Sequence, residues 1–106
     1  MSTGNTRIVM NITVLNQNGD DNYRMSLEEG VKFAMNKCFG SGMFFYINSQ
    51  PFTPKAVSVS DPLYDETMQD FADAVSRAEG VVSVDEDGLE FRSVNVTATG
   101  VLQGGR

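Results

Sequence analysis

Residues Ser60 to Gly80 read SDPLYDETMQDFADAVSRAEG, and the period of their apolar positions sets what the rest of the chain has to cover. Tyr64, Met68, Phe71, Val75 and Ala78 recur at spacings of three and four, with Ala74 beside them, the stripe of an amphipathic helix. Ser60 or Asp61 is the expected N-cap and Pro62 falls at the first helical position, where its missing N–H leaves no bond unmade. Gly80 is expected to close the helix in the left-handed conformation. The other side carries Asp65, Glu66, Asp70, Asp73 and Arg77, of which Asp73 and Arg77 alone stand as an acid-before-base pair at i,i+4. The outer face is therefore acidic.

Elements suited to cover the apolar stripe lie on both sides of it. Arg7 to Leu15, RIVMNITVL, alternates as a strand packed mainly on one face. Asn16 to Asp21 is turn chemistry centred on Asn18-Gly19-Asp20, and Asn22 to Met25 can return as a short strand. Ser26-Leu27-Glu28-Glu29 is a capping box opening a first helix over about Leu27 to Cys38, with Leu27, Val31, Ala34, Met35 and Cys38 inward and Glu28 paired with Lys32. Phe33 falls nearly opposite that stripe, as a second packing contact or an interface anchor. Met43 to Asn48 is a strand apolar on both faces, Ser49 to Pro54 a turn or edge segment, and Lys55 to Ser60 a strand with Val57 and Val59 inward and Ala56 outward. After the acidic helix, Val81 to Val84 is a strand and Asp85 to Gly88 a tight turn. Leu89 and Phe91 then share one phase and Val94, Val96 and Ala98 the other, so a bulge or break is expected near Arg92 or Ser93.

The order of elements predicts a single α+β domain over residues 1–106, with flexible ends at 1–6 and 102–106. The fold class it matches is the ferredoxin-like split βαβ plan, an antiparallel sheet with two helices on one face, plus a C-terminal hairpin return. A β-grasp-like arrangement is the alternative if Asn22 to Met25 pairs with the first strand. The Gly104-Gly105 pair resembles the tail of ubiquitin-like modifiers, but Arg106 follows it, and no family is assigned on that pair alone.

Composition narrows the function classes. The chain of 106 residues has one cysteine, Cys38, and no histidine, which leaves no intrachain disulfide, no Cys/His zinc pattern and no histidine-based triad. Cys38 reads as a small buried hydrophobe. Gly40-Ser41-Gly42 leaves a helix and enters a strand, the wrong direction for a phosphate cradle. Asp85, Asp87 and Glu90 resemble part of a calcium loop but fall short of its ligand set, so neither metal nor cofactor is assigned. Solvent-facing carboxylates are not tuned for acid–base chemistry, and the expectation is a protein that is not an enzyme. No apolar run approaches the roughly 20 residues that span a bilayer, and MSTGNTR at the start lacks a secretory pattern, which makes the cytoplasm the expected location.

The net charge of −6 is concentrated. Residues 1–60 carry five basic and four acidic side chains, residues 61–90 one basic and ten acidic, and residues 91–106 two basic. Such a field repels nucleic-acid phosphates and favours a protein partner with a basic surface. The expected contact residues are Asp65, Glu66, Asp70 and Asp73 of the helix, Asp85, Glu86, Asp87 and Glu90 of the hairpin, and Phe33. A phage-type inhibitor that mimics nucleic acid is a special case of that reading. A structural or self-assembling subunit, a homo-oligomer among them, is the alternative, and a regulatory small-ligand domain a weaker one.

Overall fold

The computed structural model describes residues 6–16, 19–38, 44–56 and 60–99. Gln17 and Asn18 of the first turn, the Cys38 side chain, Gly40-Ser41-Gly42, Val57 and Val59, and the Gly104-Gly105 tail lie outside the described residues. The elements run β1 (Arg7–Asn16), β2 (Gly19–Ser26), α1 (Leu27–Cys38), β3 (Phe44–Ile47), β4 (Gln50–Phe52), α2 (Tyr64–Arg77), β5 (Val81–Val84) and β6 (Glu90–Thr99). They form one six-stranded mixed sheet in the order β2-β1-β6-β3-β4, with β5 also paired to β6.

Alternation along β1 turns Met10, Ile12 and Val14 to the same buried side as Val94, Val96 and Ala98 of β6, against which β1 runs parallel. Val31, Ala34 and Met35 of α1 and Phe71 and Val75 of α2 close over these side chains, so both helices cover one face and share one core with Phe45 and Ile47 of β3. Phe71 stacks on Phe45 at 4.6 Å between ring centroids and meets Phe52 at 5.2 Å. Gly30 lets α1 approach β1, since a Cβ there would meet the Met10 sulfur.

The α+β class holds, but the antiparallel split βαβ sheet is not the sheet observed. First and last strands are neighbours running parallel, and Asn22 to Met25 is part of a full hairpin partner of β1, with Met10 opposite Met25 and Ile12 opposite Tyr23. The condition attached to the β-grasp-like alternative is thus met. The capping box forms through its serine: Glu29 N–H donates to Ser26 Oγ at 3.3 Å, and Glu28 pairs with Lys32 at 3.8 Å.

Four local expectations are corrected. Helix α2 begins at Tyr64, not beside Pro62, because Asp61 closes a preceding turn: its carboxylate accepts from Leu63 N–H at 2.8 Å and its carbonyl from Tyr64 N–H at 2.9 Å. Gly80 is not a left-handed cap. The helix stops at Arg77 with Ala78 extended at φ −69°, ψ 141°, and Gly80 is required because a Cβ there would collide with the Ser93 carbonyl oxygen. Ala56, expected outward, is buried in the core. No bulge interrupts β6, whose register with β1 runs unbroken from Arg7–Phe91 to Val14–Ala98. What changes along β6 is its other neighbour, β5 beside residues 90–93 and β3 beside residues 96–99.

Candidate functional site

The junction between those two neighbours is closed by Asn48, which sits at φ 49° in the turn after β3. Its N–H donates to the Asn95 carbonyl at 2.8 Å, its Oδ1 accepts from Asn95 N–H at 2.9 Å, and its Nδ2 donates to the Glu79 carbonyl. Asn48 thereby joins the end of β3 to β6 and to the link that leads from α2 into β5. Arg92 fixes the same link from the helix side, donating to Ala78 O at 2.8 Å and to Ser76 O at 2.9 Å. Those bonds hold the last carbonyls of α2, and they aim β5 away from the helix that feeds it.

The hairpin that follows is a three-residue loop. Gly88 N–H donates to Asp85 O, Asp85 N–H donates to Leu89 O, both at 3.0 Å, and Gly88 has φ 81°, the conformation such a loop needs at that position. Asp85 Oδ1 accepts from the N–H groups of Asp87 at 2.9 Å and Leu89 at 3.0 Å, while Oδ2 pairs with Arg7 at 3.2 Å. Its carboxylate is therefore committed to turn and sheet. Glu90 accepts from Thr6 Oγ1 at 3.1 Å, and Glu86 and Asp87 stand exposed at the tip.

On α2 the acidic side chains separate into two rows. Glu66 and Asp70 both meet Lys55, at 2.6 Å and 3.2 Å, which raises the Lys55 pKa above its ordinary 10.5, first through hydrogen bonds to Glu66 and then to Asp70. Asp65 stands at the mouth of a groove between α1 and α2 floored by Leu27, Val31, Met68 and Ala72, and Asp73 accepts from Gln69 at 2.9 Å. Burial, aided by the Asp65 charge, raises the pKa of Tyr64, whose hydroxyl donates to Asn36 at 3.0 Å. Among the described residues the helix carboxylates and the hairpin carboxylates share no bonded partner; β5 is the segment that links them. Phe33 packs on Tyr23 of β2 at 4.5 Å between centroids, half-buried against the core.

Sequence reasoning missed Thr67, fully buried on α2 with its hydroxyl donating to Leu63 O at 2.8 Å. Its place midway between Leu63 and Phe71 at four-residue steps was the available signal. It also missed β5 as an outer strand with Val81, Val82 and Val84 at 71%, 58% and 61% exposure. Among the described residues no group of three or more acidic, cysteine or histidine side chains is placed to hold a metal ion, and no helix is long and apolar enough to cross a membrane. Comparison with protein-family models, curated proteins and solved structures returned no match.

Proposed function

We propose that this chain is a small non-enzymatic protein-binding module whose α2 face and β5–β6 hairpin engage a basic surface of a partner. The observation that carries the reading is the company each carboxylate keeps. Lys55 answers Glu66 and Asp70, and Arg7 answers Asp85, whereas Asp65, Glu86 and Asp87 are exposed with no ion pair among the described residues. Exposed like charges held on short, well-bonded elements favour an oppositely charged partner and speed the encounter with it. A nucleic-acid mimic acting as an inhibitor is one form this module takes, with the partner's nucleic-acid groove as the basic surface.

The accompanying fold reading is β-grasp-like: β1 of the first hairpin pairs in parallel with β6, the β3–β4 hairpin lies on the other side of β6, and α1 lies across one face beside α2. The strand order and the β1–β6 pairing support it. Such a scaffold carries many activities and adds nothing by itself to the functional choice.

Affinity purification at low salt tests the binding reading with two charge-neutral variants, one of Asp65, Glu66, Asp70 and Asp73, the other of Glu86, Asp87 and Glu90, each changed to Asn or Gln. Partner recovery is expected to fall for both variants and to fall for the native protein as salt rises. Equal recovery by all three at low salt would sink it.

A further inference from the structure

Among the described residues the sheet presents three outer strands, and β5 alone carries neither charge nor proline. Edge strands expose unpaired N–H and C=O groups, and native proteins blunt them with charge, proline or brevity. Strand β2 carries Asp20, Asp21 and Arg24, and β4 is three residues long with Pro51 at its centre. Strand β5 is Val-Val-Ser-Val, with no charge and no proline, and among the described residues its strand partner is β6 alone. The Asp85 N–H bond to Leu89 O sets the ladder's alternation, which turns the N–H and C=O of Val81 and Ser83 toward β6 and those of Val82 and Val84 outward.

We propose that the outer edge of β5 takes up an extended segment of the partner as an added strand, one with alternating apolar residues and Lys or Arg at its ends. This deepens, and rests on, the reading of the chain as a module for basic partners. The added backbone would bond the outward groups of Val82 and Val84, and its apolar side chains would cover the exposed valines. Basic ends fit because Glu79 stands at the head of β5, Glu86 and Asp87 at its foot and Glu90 opposite Val84, all exposed. Of the neighbouring cations, Arg7 is held by Asp85, Arg92 by two carbonyls and Arg24 over the Phe91 ring at 5.1 Å, which leaves Arg77 on the last turn of α2. The edge is also stiff in advance, since Asn48, Arg92 and the Asp85 turn fix both its ends; less ordering is needed on docking. A second copy fits less well: the two-fold pairing that sets Val82 opposite Val84 of the second copy also sets Glu79 opposite Asp87 of that copy at both ends.

The test uses the whole protein and a synthetic peptide in which valine and threonine alternate between terminal lysine pairs. A second peptide carries glutamate pairs, and a third is N-methylated on the backbone amides of alternate residues. Binding is read by calorimetry and by amide hydrogen exchange. The lysine-flanked peptide is expected to bind and to slow exchange at Val82 and Val84, and both N-methylation and the variant Val82→Lys/Val84→Lys should weaken it at least about tenfold. The methylated peptide needs no protein variant, so it decides the matter even if the lysines disturb folding. No binding, or binding indifferent to methylation and to both lysines, overturns the edge proposal. If that indifferent binding is still lost on Glu86→Gln/Asp87→Asn, the charge reading survives without the edge. Equally tight binding of the glutamate-flanked peptide defeats the basic partner and the proposed function with it. A dimer seen by sedimentation and abolished by Val84→Lys replaces the peptide by a second copy, which also overturns the proposal.

Discussion

At Gly80 the link between α2 and β5 passes so close to the Ser93 carbonyl that no side chain fits, although the backbone there is not left-handed. A helix-closing glycine at positive φ tolerates asparagine, the residue that best shares that conformation. A glycine needed for close approach does not. Gly80→Ala and Gly80→Asn are therefore both expected to lower stability, by about 2 kcal/mol or more, read as a fall in the urea midpoint at unchanged slope. A near-native midpoint for the asparagine variant would show that the approach to Ser93 relaxes without cost. Lys55 makes a second residue-scale case. Its two carboxylate partners raise its pKa, so the folded state favours the charged ammonium; the stability this gives is complete below the ordinary 10.5 and is lost as pH rises through the higher folded value. Glu66→Gln should move the Lys55 pKa down more than Asp70→Asn does, because Glu66 makes the shorter contact, and side-chain NMR titration reads the order directly.

Among the elements, α2 and the β3–β5 junction stand on different grounds. Helix α2 is held by its buried stripe, and Phe71→Ala removes a ring that stacks on Phe45 and meets Phe52 beneath a fully closed core; a loss of about 3–5 kcal/mol is expected by chemical denaturation. The junction is held by two side chains, Asn48 from the β3 side and Arg92 from β6. Asn48→Ala removes the acceptor of Asn95 N–H and the donor to Glu79 O, so faster hydrogen exchange at Asn95, spreading into β5 but not into β1, is the expected signature. Unchanged exchange at Asn95 would mean that water replaces the asparagine. The same contrast explains what could be read in advance. Period and caps are local, so β1, α1 with its Ser26 cap, the stripe of α2 and the Asp85–Gly88 turn were legible. Pairing is not local: the phase change at Arg92 and Ser93 looked like a bulge in one strand, whereas it marks the exchange of β5 for β3 beside an unbroken β6. The candidate site divides in the same way. The carboxylates were plain in the sequence, but Lys55 as the partner of two of them, and the use of Asp85 by its own turn, depend on tertiary approach. Likewise Val-Val-Ser-Val reads as any strand until topology leaves it on the outside.

For the molecule as a whole, the ten acidic side chains and single arginine between residues 61 and 90 act on two equilibria in opposite senses. In the free protein they lie in the turn before α2, on α2, on the α2–β5 link and on the hairpin, with Lys55 and Arg7 as their paired counter-charges among the described residues, so folding gathers mutually repelling groups. Salt screens that repulsion over a Debye length of about 10 Å at 0.1 M, and it also weakens the exposed Lys55 and Arg7 pairs. Repulsion should win because unpaired carboxylates outnumber the paired ones. Raising sodium chloride is therefore expected to raise the melting temperature of the free protein; relief of about 1 kcal/mol corresponds to roughly 4–8 °C for a domain of this size. Glu86→Gln/Asp87→Asn should reproduce part of the rise at low salt and flatten the remaining salt dependence. Binding of a basic partner must respond the other way, weakening as salt rises, since the field that costs stability in the free state is the one that attracts the partner. Differential scanning calorimetry of the free protein beside calorimetric titration of the lysine-flanked peptide over one salt series reads both slopes. A melting temperature that falls with salt would show that the ion pairs at Lys55 and Arg7 outweigh the unpaired carboxylates, leaving little free field to attract a partner.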